Sequence, residues 1–260
     1  MGEAGTFLFQ NLWAAGLSFL ALALVFAPLE WLVPAKPGQR FFRPEWFTDL
    51  AFFLGQYLIW SGLIVALLRL LSESCHGILF GSAVSQFPLY VQVLLAVALG
   101  DFCIYWVHRL QHTWDFLWRF HSVHHTAEHL DWLAAHREHP VDGLVTQAVI
   151  NLPAFLLGVP LSTISWLIIF RGIWAIYIHS NVRFPLGPLR VLIGAPEIHH
   201  WHHSKERKPG NFANLSPLMD VIFGTYVCKD HEPAAFGVAE ASPRSYTGQL
   251  VHAFTRPTKR

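Results

Sequence analysis

The chain has 260 residues, 53% of them hydrophobic and only 13% charged, with a net charge of +1. Soluble domains carry about 25% charged residues, so one soluble core cannot hide this much apolar surface, and the near-zero charge argues against a nucleic-acid partner. Three cysteines (Cys75, Cys103, Cys228) lie far apart without C-x-x-C spacing, which leaves neither a disulfide framework nor a cysteine zinc site. The first apolar run, LWAAGLSFLALALVFAPLEWLV (12–33), fits the ~20 residues that cross a bilayer. No basic stretch and no clear small-residue cleavage site mark it as a signal peptide, so it is read as a retained span. Further spans are expected at 50–71 and 87–107. Two shorter runs, 144–159 and 161–178, hinge at Gly158 and Pro160 and predict a helical hairpin over 144–178, either two thin spans or a re-entrant pair. The expected fold is a single all-α integral-membrane domain over 1–260, a polytopic bundle of about four to five membrane segments.

Sidedness follows from Lys and Arg. Loop 34–49 holds Lys36, Arg40 and Arg43, whereas the N-terminal tail and loop 72–86 hold none. Positive loops stay in the cytoplasm. The N-terminus is then opposite, and residues 108–142 and 179–226, with Arg109, Arg119, Arg137, Arg190, Lys205, Arg207 and Lys208, form a cytosolic cap. Every dense histidine stretch falls on that one face.

Those stretches are HRLQH (His108, His112), HSVHH (His121, His124, His125), a lone His179 in YIHSN, and HHWHH. In the last, an H-x-x-H-H frame picks out His199, His202 and His203, and leaves His200 between them as a supporting residue. Helical positions i, i+3 and i+4 share a face, so each stretch can form a local claw. One straight helix cannot carry both His112 and His121 inward, because nine residues at 100° put them on opposite sides. A break near Thr113-Trp114-Asp115 is therefore expected. Eight or nine imidazoles exceed the four ligands usual around one zinc ion; two adjacent ions with four or five each fit. Imidazole suits iron, zinc, copper and nickel, and two irons activating dioxygen fit the chemistry best.

The ordered set DFCIYWVHRLQHTWDFLWRFHSVHHT, REHPVDG, IHSN, PEIHHWHHS and NFANLSPLMDVIFGTY resembles the fatty acid hydroxylase / sterol desaturase superfamily over about Asp101 to Tyr226. These are integral-membrane, non-haem di-iron oxygenases. The resemblance implies metal-ligand roles for His108, His112, His121, His124, His125, His199, His202 and His203. It adds His179, where several branches use a histidine. Some of those have a partner four residues on, and here Arg183 stands there. It favours iron, with zinc taken up during purification.

Asp101 lies seven residues before His108, on nearly the same helical face, and is expected to accept an N–H from a ligand histidine; the competing reading is a span-end carboxylate reaching water or an arginine. In REHPVDG, His139 either joins the metal site or only shapes the hairpin entry, Asp142 either orients a ligand or does the same, and Glu138 is read as structural. Glu197 is either a support for the ligands or an interfacial charge. Arg171 contacts a lipid or snorkels to an interface. Asn181, Asn211 and Asn214 hold loops by side-chain–backbone bonds.

The resemblance implies an O2-dependent monooxygenase that hydroxylates or desaturates a C–H position of a lipid entering from the bilayer, such as a sterol or fatty acyl chain. The sequence has no G-x-G-x-x-G, no clustered cysteines and no H-P-G-G, so a separate ferredoxin or cytochrome b5-like donor is expected to supply electrons. Two other classes stand beside this: a zinc-dependent membrane lipid hydrolase, and a non-catalytic lipid-binding relative.

Overall fold

A computed structural model describes residues 3–184, 186–205 and 210–255; Arg207 and Lys208 lie outside them. Helix α1 (Glu3–Leu32) is followed by α2 (Trp46–Gly55), a π-helical turn (Gln56–Trp60) and α3 (Ser61–Cys75), which run on without a break. After the short α4 (Gly81–Val84) come α5 (Leu89–Thr113), α6 (Asp115–His125), α7 (Pro140–Leu156) and α8 (Leu161–His179). The cap closes with α9 (Pro196–His202), α10 (Leu218–Ile222) and α11 (Tyr246–Thr255). Among the described residues no strand forms beyond two isolated bridges, Pro34 to Val182 and Ser204 to Phe236. The protein is all-helical.

Four segments are long and apolar enough to cross a membrane: Phe9–Leu32, Trp46–Cys75, Leu89–Thr113 and Leu161–His179. Their outer faces stay exposed. In Phe9–Leu32 only 11% of the apolar window is buried, and Leu12, Leu17, Leu20 and Leu24 point outward. Exposed apolar surface on this scale needs lipid to cover it. The 17-residue α7 carries Asp142, Gln147 and Asn151 and is not among the four.

Phe19 and Phe26 of α1 pack with Phe53 of α2, Ile176 of α8, and Trp132 and Leu133 from the α6–α7 connection. Polar clamps hold that connection in place. Glu30 accepts the backbone N–H of Trp132 at 2.7 Å and of Asn181 at 3.0 Å. Arg43 makes two bonds of 2.6 Å to Asp131, and Arg137 one of 2.6 Å to Asp49. Buried charges persist only when paired, so Arg43 and Arg137 are interior partners and not free surface charges of their loops.

The hairpin hinge is tight. Gly158 has φ of +70°, and a Cβ there would lie 3.2 Å from Gly77 Cα and 3.3 Å from Gly81 Cα. Backbone bonds from Gly77 to Phe155 (2.8 Å) and from Leu79 to Leu156 (3.0 Å) fix the crossing. The left-handed conformation costs an L side chain about 1–2 kcal/mol, and the close backbone approach adds to that. Gly158→Ala should therefore lower the melting temperature of detergent-solubilised protein; an unchanged value would contradict the crossing.

Candidate metal centre

The break near residue 114 creates the site. Helix α5 ends at Thr113, Trp114 is extended (φ −105°, ψ 111°), and α6 starts at Asp115. The turn brings two helix faces together, so His108 Nε2 and His121 Nε2 are 3.0 Å apart, and the rings of His112 and His121 lie 4.8 Å apart. Helix α8 ends on His179, and α9 supplies His199 and His202, with His203 as its C-terminal cap.

The nine histidines sort into two groups whose potential ligand atoms lie within 4.8 Å of one another. One holds His108, His112, His121, His125 and His202; the other holds His124, His179, His199 and His203. Each H-x-x-H-H frame feeds both. The i, i+4 pair His121/His125 joins the first group while His124 joins the second. In the last frame the assignment reverses: His199/His203 join the second group and His202 the first. Adjacent histidines thus straddle the two groups, and the rings of His125 and His203 stack at 4.4 Å between them.

The outward nitrogens explain the inward ones. Nδ1–H donates to the carbonyl of Phe212 from His108 (2.8 Å), of Arg137 from His124 (3.0 Å), of Ala175 from His179 (2.6 Å) and of Gly210 from His202 (2.7 Å). His121 Nδ1 donates to Asp142 Oδ2 at 2.9 Å. A proton held on Nδ1 leaves the lone pair on Nε2. Nε2 of His179 lies 2.8 Å from that of His124, 2.9 Å from that of His199 and 3.2 Å from that of His203. Lone pairs facing each other this closely repel unless a cation sits among them. Nitrogens bound at ~2.1 Å and at right angles on one ion lie ~3.0 Å apart. The donor set fits two imidazole-bound metal ions.

Burial, and after it the charge of neighbouring imidazoles, holds His125, His199, His202 and His203 well below the usual histidine range; His124 is pushed down to about 4 by burial and His121. Neutral imidazole is the metal-binding form. The same shift sets a pH response. Below about 6.5 an unfolded histidine takes up a proton, whereas His124 in the fold stays neutral until about 4. The unfolded chain then binds more protons, so stability falls as pH falls through that window. Chelator-treated protein should melt progressively lower from pH 7 to pH 5; a flat profile would contradict this.

The supporting residues divide. Asp142 takes His121 on one oxygen and the amide of Gln111 (2.6 Å) on the other. Asp101 does not accept from a histidine: its oxygens take Arg171 Nη1 at 2.8 Å and the Ser216 N–H at 3.2 Å. Arg171 consequently neither snorkels nor stands free, and also reaches Asn214 and the Val97 carbonyl. Removing one partner of a buried ion pair costs about 3–5 kcal/mol. Asp101→Leu should lower the melting temperature sharply and Asp101→Leu/Arg171→Leu much less; equal losses would contradict the pairing. His139 stays out of both groups and caps α7, accepting the Val141 N–H at 3.1 Å. His200 is turned away, with Nδ1 on Glu232 at 2.6 Å and Nε2 on the Ser180 carbonyl at 3.1 Å. Glu197 pairs with Arg190 at 3.2 Å.

Asn211, at φ +57°, clamps the loop by bonding the Ile198 carbonyl and both polar groups of the Val227 backbone. Asp220 holds the same loop through the N–H groups of Phe212 and Ala213, each at 2.8 Å. Gln111 and Asp220 carry no sequence mark that singles them out. They work through partners brought near by the fold.

A cavity of about 600 Å³ reaches the histidines. Its lining includes Leu22 of α1, Ile168, Ile169, Ile173 and Ile176 of α8, and the polar Glu138, Thr146, Gln147 and Asn151. His108 and His121 of the first group and His124, His179 and His199 of the second line it too.

Residues 93–225 match the family model described as fatty acid hydroxylase. Ornithine lipid hydroxylase OlsE of Rhizobium tropici is 32% identical over 178 residues, covering 66% of this chain and 53% of that protein. Human alkylglycerol monooxygenase is 29% identical over 140 residues, covering 53% of this chain and 31% of that protein. A very-long-chain aldehyde decarbonylase of Oryza sativa subsp. indica is 33% identical over 137 residues, or 52% of each chain. The matches span about half of these relatives or less. No solved structure matches the chain.

Proposed function

Since the chain belongs to the fatty acid hydroxylase family, we propose that it is a membrane-bound, O2-dependent oxygenase that hydroxylates or desaturates a C–H position of a lipid. The supporting observation is a cavity lined both by residues of the membrane-length helices and by histidines of both groups. The names of the relatives point the same way, to an ornithine lipid, an alkylglycerol and a very-long-chain aldehyde.

His108, His112, His121, His125 and His202 would hold one iron, and His124, His179, His199 and His203 the other. Bound there, the two ions would supply the activation of dioxygen. The chain's own residues do the rest. Asp142 and the carbonyls of Phe212, Gly210, Arg137 and Ala175 keep the Nδ1 protons of His121, His108, His202, His124 and His179 outward, so these five rings are aimed before metal arrives. The isoleucines of α8 and Leu22 keep water from the chain of the lipid. Electrons come from a separate ferredoxin or cytochrome b5-like protein, docking on the histidine-bearing cap on the cytoplasmic side.

The test is a lipid profile. Membranes of aerated cells expressing the wild-type chain should contain species one oxygen heavier, or two hydrogens lighter, than their parents. Cells expressing His202→Ala/His203→Ala should lack them. Identical profiles from the two strains would contradict the proposal.

A further inference from the structure

The cavity is lined by a carboxyl that the metal chemistry leaves unused. Glu138 lines it just before α7, and among the described residues its carboxyl makes no hydrogen bond. The cations nearby are engaged elsewhere, Arg137 by Asp49 and Arg171 by Asp101, while His136 gives Nδ1 to Gln56 at 2.9 Å. The seat is shaped for the carboxyl: Glu138 Oε2 rests against Gly143, where an added Cβ would come within 2.8 Å. Gln147 and Asn151, bonded to each other at 3.0 Å, continue the polar wall along α7. The isoleucines of α8 line the same cavity.

A pure hydrocarbon gains nothing from such a wall, because polar groups without partners are costly beside apolar ones. We propose that Glu138 is a specificity-determining residue that binds a hydroxyl group of the lipid and so sets the depth at which the chain lies against the histidines. The inference rests on the cavity being the lipid's berth. A hydroxyl both donates and accepts, and so does an un-ionised carboxyl. Burial, and then the charge of Asp142, push the Glu138 carboxyl up to about 8, so it carries its proton at neutral pH. His136, pushed down to about 4 by burial, lines the same cavity in its neutral form. A lining that holds these two groups neutral suits an alcohol better than an ammonium group.

The experiment uses full-length, zinc-loaded protein in detergent micelles, so that binding is read without turnover. The probes are hexadecan-1-ol, hexadecane and hexadecan-1-amine, each titrated against wild type, Glu138→Gln, Glu138→Leu and Gly143→Ala. One hydrogen-bonded pair in an apolar site should favour the alcohol over the alkane by roughly tenfold. Glu138→Gln should keep most of that ratio. Glu138→Leu should abolish it, with hexadecane bound at least as tightly as by wild type, and Gly143→Ala should reduce it by displacing the carboxyl. An unchanged ratio in Glu138→Leu overturns the proposal. So does tightest binding of the amine with loss in Glu138→Gln, which would mean an anionic site. If none of the three chains binds wild type, the berth itself fails and the subsite with it.

Discussion

Replacing His202 by Ala is expected to remove the ion of the five-histidine group and leave the other, taking metal content from about two ions per chain to about one. His203→Ala should do the same to the four-histidine group. Adjacent residues would thus empty different sites, because His202 lies 3.2 Å from His112 Nε2 while His203 lies 3.2 Å from His179 Nε2. Either change should lower turnover by at least about a thousandfold, since activation of dioxygen by a pair of ions is worth several kcal/mol. His200→Ala, in the same seven-residue helix, should keep both ions. His200 spends its nitrogens on Glu232 and Ser180 and faces away from both groups. Metal analysis of the three purified variants reads the whole pattern. Loss of metal in His200→Ala with retention in His202→Ala would overturn the assignment.

The second large effect is expected at Asp142. Its two oxygens accept from His121 Nδ1–H and from the Gln111 amide. Asn offers one acceptor and one donor, so Asp142→Asn sets a donor against one of those two N–H groups. Either His121 loses its aim or Gln111 turns. Residues that orient a metal-binding histidine typically contribute 10- to 100-fold to affinity, and a loss of about that size is expected in chelator competition. Asp101→Asn is the control. Its carboxylate serves Arg171 and Ser216, so metal affinity should barely move. Equal losses in the two variants would contradict this division between the carboxylates.

Much of the molecule was legible in the sequence where the signal is local. The apolar runs announce the long helices by length alone, and the spacing of His108, His112, His121 and His125 demands the break that Trp114 provides. Gly158 and Pro160 mark the hairpin turn for the same reason. What was not legible depends on partners distant in the chain. Asp101 sits on the right face for His108, but Arg171 comes from a helix 70 residues later and takes it. Glu138 looked structural because nothing in REHPVDG shows a cavity opening beside it. Asp220 and Gln111 acquire their roles only when loop and helix meet. The C-terminal α11 was unmarked too, since its apolar face is short. It packs Tyr246 and Ala253 against Phe52 and Phe120, behind the helix that carries HSVHH.

The central claim is that the nine histidines serve oxygen-dependent oxidation of a lipid. Its most direct test is turnover of a membrane-lipid extract by iron-loaded protein purified without oxygen, with dioxygen and a chemical reductant supplied separately and together. Products one oxygen heavier or two hydrogens lighter should form only when both are present. Product formation that persists without oxygen and reductant would contradict the claim.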